Sequence, residues 1–238
     1  MNIIIVGNGR MGQLIADTAA HREDMKVILM ADKFTFPDLN AFDGSPDVVI
    51  DFSHPDNLDW IINYIKTKKC AYVCGTTGCS DEQIEKIHDL SRLVPVVFQS
   101  NFSLGIAVMK EVIELITPIL EDSFDIEVIE KHHNQKQDAP SGTAKMLVDT
   151  INKHKTYDEV YGRRGFVGKR GKEIGIHAVR GGTAAGEHTV LYLGDSESIE
   201  IRHNAESRQI FANGALTAAR FAVKKPAGMY TMKDILFQ

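Results

Sequence analysis

The sequence has no surplus of positive charge: 27 lysines and arginines stand against 32 aspartates and glutamates, a formal net charge of −5. Binding to nucleic-acid phosphates draws on a strong basic excess, so a dedicated nucleic-acid binder is excluded. Any anionic small ligand must instead be met by local positive charge. No apolar run approaches the roughly 20 residues needed to cross a membrane. The opening Met-Asn-Ile-Ile-Ile-Val is too short and uncharged to read as a signal peptide, and a cytoplasmic setting away from membranes is expected. Cysteine is scarce: Cys70, Cys74 and Cys79 lie in one short span. An odd count without metal-ligand spacing points to reduced thiols rather than a disulfide framework or a zinc site. Internal repeats and low-complexity tracts are lacking. What remains is a chain of 238 residues, 43% hydrophobic and 25% charged, long enough for one large or two modest domains with a real core.

Residues 2–6 are a continuous β-branched apolar run, the mark of a strand buried on both faces. Gly7-Asn8-Gly9-Arg10-Met11-Gly12 follows at once, then a helix with Met11, Leu14, Ile15 and Thr18 on one face. A second strand over residues 26–31 ends at Asp32. Strand, Gly-x-Gly-x-x-Gly, helix, strand and acid, in that order and spacing, form the dinucleotide fingerprint. Its glycines allow a tight turn and close approach of a pyrophosphate. Asp32 is placed to accept hydrogen bonds from a ribose, and Lys33 is either solvated or paired with a 2′-phosphate, so NADH or NADPH is the expected cofactor.

The alternation continues through strands at residues 47–52, 71–74 and 94–98, separated by helices over 56–68 and from Ser80, where Gln83 completes a capping box. Such units imply a Rossmann-type doubly wound α/β fold with a parallel sheet, binding ligands at the carboxyl ends of its strands. Gly75, Thr76, Thr77 and Gln99, Ser100, Asn101, Phe102 lie at such ends and are candidate cofactor contacts. A long helix from Gly105 to about Leu120, disturbed by Pro118, precedes a change of pattern. Strands at residues 174–180, 187–193 and 199–203 suggest a second α+β domain with a mostly antiparallel sheet, its first hairpin punctuated by Gly181, Gly182 and Gly186. Residues 155–173, rich in Lys, Arg and Gly, read as a mobile loop with a solvated face. A small-residue helix through Phe211, Ala215, Ala219 and Ala222 ends at Lys224-Lys225-Pro226. The domains are drawn at 1–103 with 209–238, for the dinucleotide, and 104–208, for substrate and oligomerisation.

Residues 130–143 carry the densest chemistry. His132 and His133 end an alternating strand, Lys136 follows, and Pro140-Ser141-Gly142-Thr143 opens a helix. Adjacent strand residues face opposite ways, so the two histidines are not expected to share a metal, and none is expected elsewhere. A helix start behind basic side chains is a seat for a carboxylate or phosphate. His132 has the intrinsic pKa for proton donation near neutrality, and the neighbouring His133 and Lys136 are expected to lower it.

Gly-x-Gly-Arg-Met-Gly, Asp-Phe-Ser at 51–53, Gly-Thr-Thr-Gly at 75–78 and Asn-Phe-Ser at 101–103 belong to one larger pattern. His-His-x-x-Lys-x-Asp-Ala-Pro-Ser-Gly-Thr at 132–143, Arg-Gly-Gly-Thr and Gly-Glu-His at 180–188, and Phe-Ala-Asn-Gly-Ala at 211–215 complete it. Together these resemble the dihydrodipicolinate reductases, now named 4-hydroxy-tetrahydrodipicolinate reductases, of bacterial lysine and diaminopimelate biosynthesis. The resemblance implies NAD(P)H-dependent reduction of a cyclic imine bearing two carboxylates, in a homodimer or homotetramer built through the second sheet. It makes His132 the general acid/base and Lys136 a proton donor. His133, Ser141, Gly142 and Thr143 would hold the small dicarboxylate substrate; Gly7 to Gly12, Asp32, Lys33, Gly75 to Thr77 and Gln99 to Phe102 would contact the cofactor. Asp32-Lys33 stands where some relatives have Glu-Arg, which leaves the choice of NADH or NADPH open. Two other classes are weighed: an aldehyde-oxidising dehydrogenase with Cys74 or Cys79 as nucleophile, and a non-catalytic NAD(H) sensor, for which the proton-donor cluster would be superfluous.

Overall fold

The computed structural model describes residues 1–237. In chain order its elements are β1 (Asn2–Val6), α1 (Arg10–Ala20), β2 (Lys26–Ala31), β3 (Val48–Asp51), α2 (Leu58–Lys68), β4 (Ala71–Cys74), α3 (Asp81–Ser91), β5 (Pro95–Phe98) and α4 (Leu104–Leu120). Then come β6 (Asp125–His132), α5 (Gly142–Ile151), β7 (Asp158–Tyr161), β8 (Glu173–Arg180), β9 (Gly186–Gly194), β10 (Glu197–Ala205), α6 (Gln209–Ala222), β11 (Gly228–Tyr230) and α7 (Met232–Leu236). They divide into two compact units: Met1–Leu104 with the residues from Gln209 onward, and Gly105–Arg208.

In the first unit six parallel strands run in the order β11-β5-β4-β3-β1-β2. Ile3, Ile4, Ile5 and Val6 are wholly buried, each side chain contributing about 1.5–3 kcal/mol by its removal from water. Since β2 and β3 flank β1 on opposite sides, the chain leaves the sheet in two directions there. That is the switch point at which open α/β sheets leave a crevice. Ser80 and Gln83 form the expected capping box at the start of α3. The small-residue helix α6 joins this unit by lying against α1: Arg22 bonds Asn213 at 3.1 Å, Gln209 bonds Thr18 at 2.7 Å, and Arg220 pairs with Asp24. The three-residue strand β11 and the helix α7 have no counterpart in the sequence reading, because three residues after Pro226 are too few to show a period.

The second unit holds a five-stranded sheet in the order β10-β9-β6-β8-β7. β9 is antiparallel to both β10 and β6, whereas β6–β8 and β8–β7 are parallel. This corrects the expected hairpin around Gly181, Gly182 and Gly186: β6 lies between β8 and β9. Glycines mark a reversal but not a partner, and the hairpin is β9–β10. One face of the sheet packs Ile126, Val128, Ile174, Ile176, Val190 and Tyr192 against Ile106, Met109, Ile113, Leu147, Val148 and Ile151 of α4 and α5. The helix α4 passes through Pro118 without ending.

The 155–173 segment departs from the expected loop in holding β7. Residues 161–169 are exposed, as expected of a solvated face, and Arg163 and Arg170 reach back to Glu127 on β6. Arg163 reaches Glu127 at 2.9 Å and Glu173 at 2.6 Å, Arg170 bonds Glu127 and the Ile126 carbonyl, and His177 lies 2.7 Å from Glu127. Burial would raise the Glu127 carboxyl, but Arg163, His177 and Arg170 outweigh it and hold it below the ordinary value. A Cβ on the facing Gly175 would overlap the Glu127 carboxylate. Glu127, the acid that Arg163 and Arg170 share on β6, lies about 40 positions away in sequence, so nothing local to either arginine announces it. In Glu127→Ala, limited tryptic cleavage after Arg163 and Arg170 is expected to run several-fold faster than in the parent chain, as local opening becomes easier. An unchanged cleavage rate would show that these ion pairs do not hold the segment.

Candidate active site

Strand register assembles the polar cluster of the second unit. Side chains two apart on β6 share a face, so Glu130 and His132 continue the row begun by Ile126 and Val128. Glu130 lies beside Ala178 on β8 and His188 on β9, and His132 beside Arg180. The face that is apolar at one end of the sheet is thus ionic at the other.

Glu130 is wholly buried and its carboxylate is fully used. Oε2 lies 2.5 Å from His132 Nδ1 and accepts from Arg180 Nη1 at 2.8 Å. Oε1 accepts from Arg180 Nη2 at 2.7 Å and from the Ser141 backbone N–H at 3.0 Å. Burial alone would raise the Glu130 carboxyl, but Arg180 and His132 outweigh it and hold it below the usual carboxylate range. His132 is 8% exposed. Its pKa is lowered chiefly by burial, against the pull of Glu130, with Lys136 and Arg180 adding to the lowering. Like charge, the expected cause, is therefore secondary, and the contributing cations are Lys136 and Arg180.

Beyond the strand, the backbone is tied down. His133 N–H donates to the Ala184 carbonyl and Asn134 N–H to the Gly182 carbonyl, while Gly181 N–H returns to the His132 carbonyl. The link between β8 and β9 thereby braces the reactive loop. Lys136 follows with its ammonium 2.8 Å from Asp138, and Arg180 also donates to the Asp138 carbonyl. Ser141 is the N-cap of α5, accepting from Ala144 N–H at 3.1 Å, and its Oγ lies 3.0 Å from His188 Nε2. Gly142 and Thr143 form the first turn of that helix, ahead of its first intrahelical bond from Lys145 to Ser141. His188 is pushed down to about 4, by burial first and then by the His132 charge, so its ring is neutral near neutral pH. His132, His133, Lys136, Ser141, Gly142 and Thr143 therefore belong to one strand end and one helix start. Glu130, Arg180 and His188 complete the cluster and were given no role from sequence. For Arg180 and His188 the signal was their place in the Arg-Gly-Gly-Thr and Gly-Glu-His motifs; for Glu130 it was its i, i+2 spacing from His132.

In the first unit the glycine loop crosses the end of β1. Gly7 has a φ of +108°, and a Cβ there would come 2.6 Å from the Phe52 carbonyl oxygen; one on Gly12 would overlap the Gly7 carbonyl. A Cβ on Gly9 would meet nothing, and Gly9 leads into α1 without a side-chain cap. Asn8 and Arg10 are exposed and Met11 is half-buried. Asp32, just past β2, accepts from Phe34 and Thr35 N–H at 2.8 Å and from Asn8 at 2.6 Å. Those bonds, led by the Thr35 N–H, hold its carboxyl below the ordinary value. A tight turn, an open helix start and a fixed carboxylate fit a dinucleotide.

Gly75 and the exposed Thr77 follow β4, and Gln99, Ser100 and Asn101 follow β5. Two of the candidate side chains turn inward instead: Thr76 bonds Asp51 at 2.9 Å, and Phe102, 1% exposed, packs its ring on Phe52. Only their backbone groups are left for a ligand. The thiols do not suit a nucleophile. Burial pushes Cys70 up to about 12, Cys74 well above its ordinary value and Cys79 upward, all away from the reactive thiolate.

Comparison with known proteins places the chain in a family. Residues 1–102 match the family profile "Dihydrodipicolinate reductase, N-terminus" and residues 105–236 the profile "Dihydrodipicolinate reductase, C-terminus". The 4-hydroxy-tetrahydrodipicolinate reductase of Clostridium novyi (strain NT) is 42% identical over 98% of this chain and 97% of its own length. That of Clostridium tetani is 41% identical over 99% and 97%. Among solved structures, dipicolinate-bound dihydrodipicolinate reductase from Paenisporosarcina sp. TG-14 superposes with a TM-score of 0.80 at 23% identity, over 100% of this chain and 99% of that one, and shares the fold. With both halves matched and relatives above 40% identity along nearly the whole length, this chain belongs to the dihydrodipicolinate reductase family.

Proposed function

We propose that this chain reduces 4-hydroxy-tetrahydrodipicolinate, by way of dihydrodipicolinate, to tetrahydrodipicolinate in lysine and diaminopimelate biosynthesis, with NADH or NADPH as reductant. The observation that carries the reading is a buried histidine–carboxylate couple, His132 on Glu130, beside the start of α5. A proton donor next to an anion seat is what a dianionic imine requires. The sensor alternative leaves this cluster without a purpose, and the cysteine alternative has only thiols whose burial disfavours the thiolate.

The nicotinamide cofactor, when bound at the glycine loop, supplies a hydride. The chain's own residues then have two tasks. Hydride addition to a conjugated imine leaves an electron-rich enamine, and His132 gives it a proton. Lys136, His133, the Ser141 hydroxyl and the first-turn N–H groups of Gly142 and Thr143 hold the carboxylates, with Lys136 a second proton source. Because burial lowers the His132 pKa, a bound dianion is needed to raise it again. The acid form is lost as pH rises, so kcat/KM falls on the alkaline side.

On the cofactor side, Asp32 faces the ribose hydroxyls and Lys33 pairs with a 2′-phosphate, so both cofactors are used. In the second sheet, Val179 and Leu193 lie on the face opposite the helices and stay exposed. That face joins copies of the chain into a dimer or tetramer. No helix among the described residues is long and apolar enough to cross a membrane, and the three free thiols suit a cytoplasmic setting.

The decisive assay follows NADH and NADPH absorbance with substrate generated by dihydrodipicolinate synthase. His132→Gln is expected to keep the fold and NADH binding while turnover drops roughly two to four decades; near-parental turnover would remove His132 from the chemistry. Lys33→Ala should raise the KM for NADPH about tenfold and leave that for NADH nearly unchanged, the loss of one charged hydrogen bond. An unaltered NADPH/NADH ratio would show that Lys33 does not read the phosphate.

A further inference from the structure

We propose that Glu130 is a positioning residue for His132: its carboxylate takes the Nδ1 proton, leaving Nε2 as the nitrogen that serves the substrate, and Arg180 fixes the carboxylate in that pose. The inference deepens the reductase reading and rests on it for its catalytic meaning.

The geometry leaves little choice. An ionised carboxylate only accepts hydrogen bonds, so the 2.5 Å contact with His132 Nδ1 requires the hydrogen on that nitrogen. The remaining acceptor positions of Glu130 are filled by both Arg180 Nη atoms and the Ser141 N–H. None is free to swing toward another partner. Because Glu130 and His132 are two apart on one strand, the pleat itself aims the carboxylate at the ring. On the other side of the imidazole, a Cβ on Gly186 would come 3.1 Å from Nε2, so β9 keeps that edge clear of side chains.

Four groups face the ring: Glu130 from its own strand, Arg180 from β8, His188 from β9 with ring centroids 5.2 Å apart, and Lys136 from the loop beyond. Only Glu130 is anionic. It fixes the tautomer and offsets the neighbouring cations, as the orienting carboxylate does for other histidine acid–base catalysts. Arg180 acts at one remove, since its guanidinium grips both carboxylate oxygens. His188, neutral and bonded to Ser141, serves the helix start rather than the ring.

The test separates this role from simple structural support. Histidine-selective ¹⁵N labelling, with His132→Gln to assign the resonance, reports which nitrogen of neutral His132 carries the proton. The expected result is Nδ1–H in the parent chain and a shift toward Nε2–H in Glu130→Gln. In the coupled assay, Glu130→Gln should lower kcat about 10²-fold. It should also move the alkaline limb of kcat/KM to lower pH by one unit or more, because an anion that favours imidazolium is gone. Arg180→Gln removes a cation and should move the limb the opposite way, to higher pH. Mere damage to packing would not give opposite signs. If Glu130→Gln does not fold, the parent tautomer and the Arg180→Gln limb still decide the matter. Nε2–H in the parent chain, or limbs that stay put or move together, would overturn the proposal. A parent chain that oxidises neither cofactor with this substrate would end the reductase reading, while the tautomer measurement would still judge Glu130.

Discussion

The second unit depends on one buried negative charge. Glu130 has no exposed surface, and an ion so placed survives only with its charge paired and its lone pairs filled. Arg180 on β8, His132 two positions along β6 and the backbone of Ser141 before α5 do this together. Removing one partner of such a pair leaves an uncompensated charge costing roughly 3–5 kcal/mol. The contact that orients the reactive imidazole thus also joins two strands and a helix. Site geometry and local stability share a cause.

The first unit uses the same device with a different electrostatic outcome. Asp51, at the end of β3 and 1% exposed, accepts from Ser53, Tyr72 and Thr76 hydroxyls. Those bonds join the loop after β3 to the loop after β4, where the candidate cofactor residues Gly75 to Thr77 lie. Its partners carry no charge, so burial prevails and pushes the Asp51 carboxyl up. Glu130, with an arginine across it, is held down. Two buried acids brace two sets of loops, and the presence of a cation decides which stays firmly ionised.

Legibility from sequence followed the range of the interactions. The glycine loop, Asp32 and the β–α alternation were readable because each is a local pattern that the parallel sheet repeats. His132, Lys136 and Ser141 were readable because their chemistry is packed into a dozen residues. The arrangement of β8 around β6 was not: Gly181 and Gly182 announce a reversal, but strand order is set by which edge β6 offers. Arg180 and Glu130 lie 50 positions apart, and nothing local to either names the other. Thr76 and Phe102 follow the ends of β4 and β5 as expected, yet the direction of a side chain in a loop follows from what lies beneath it, here Asp51 and Phe52.

Gly175 draws these threads together in an unexpected place. It sits opposite Glu127 with no side chain, and the carboxylate occupies the room that a methyl group would take. That carboxylate is what Arg163 and Arg170 fasten to. The route of a surface strap is therefore written as an omission on a neighbouring strand. An alanine at this position, conservative by any similarity table, would push the Glu127 carboxylate from its place and oblige both arginines to follow it.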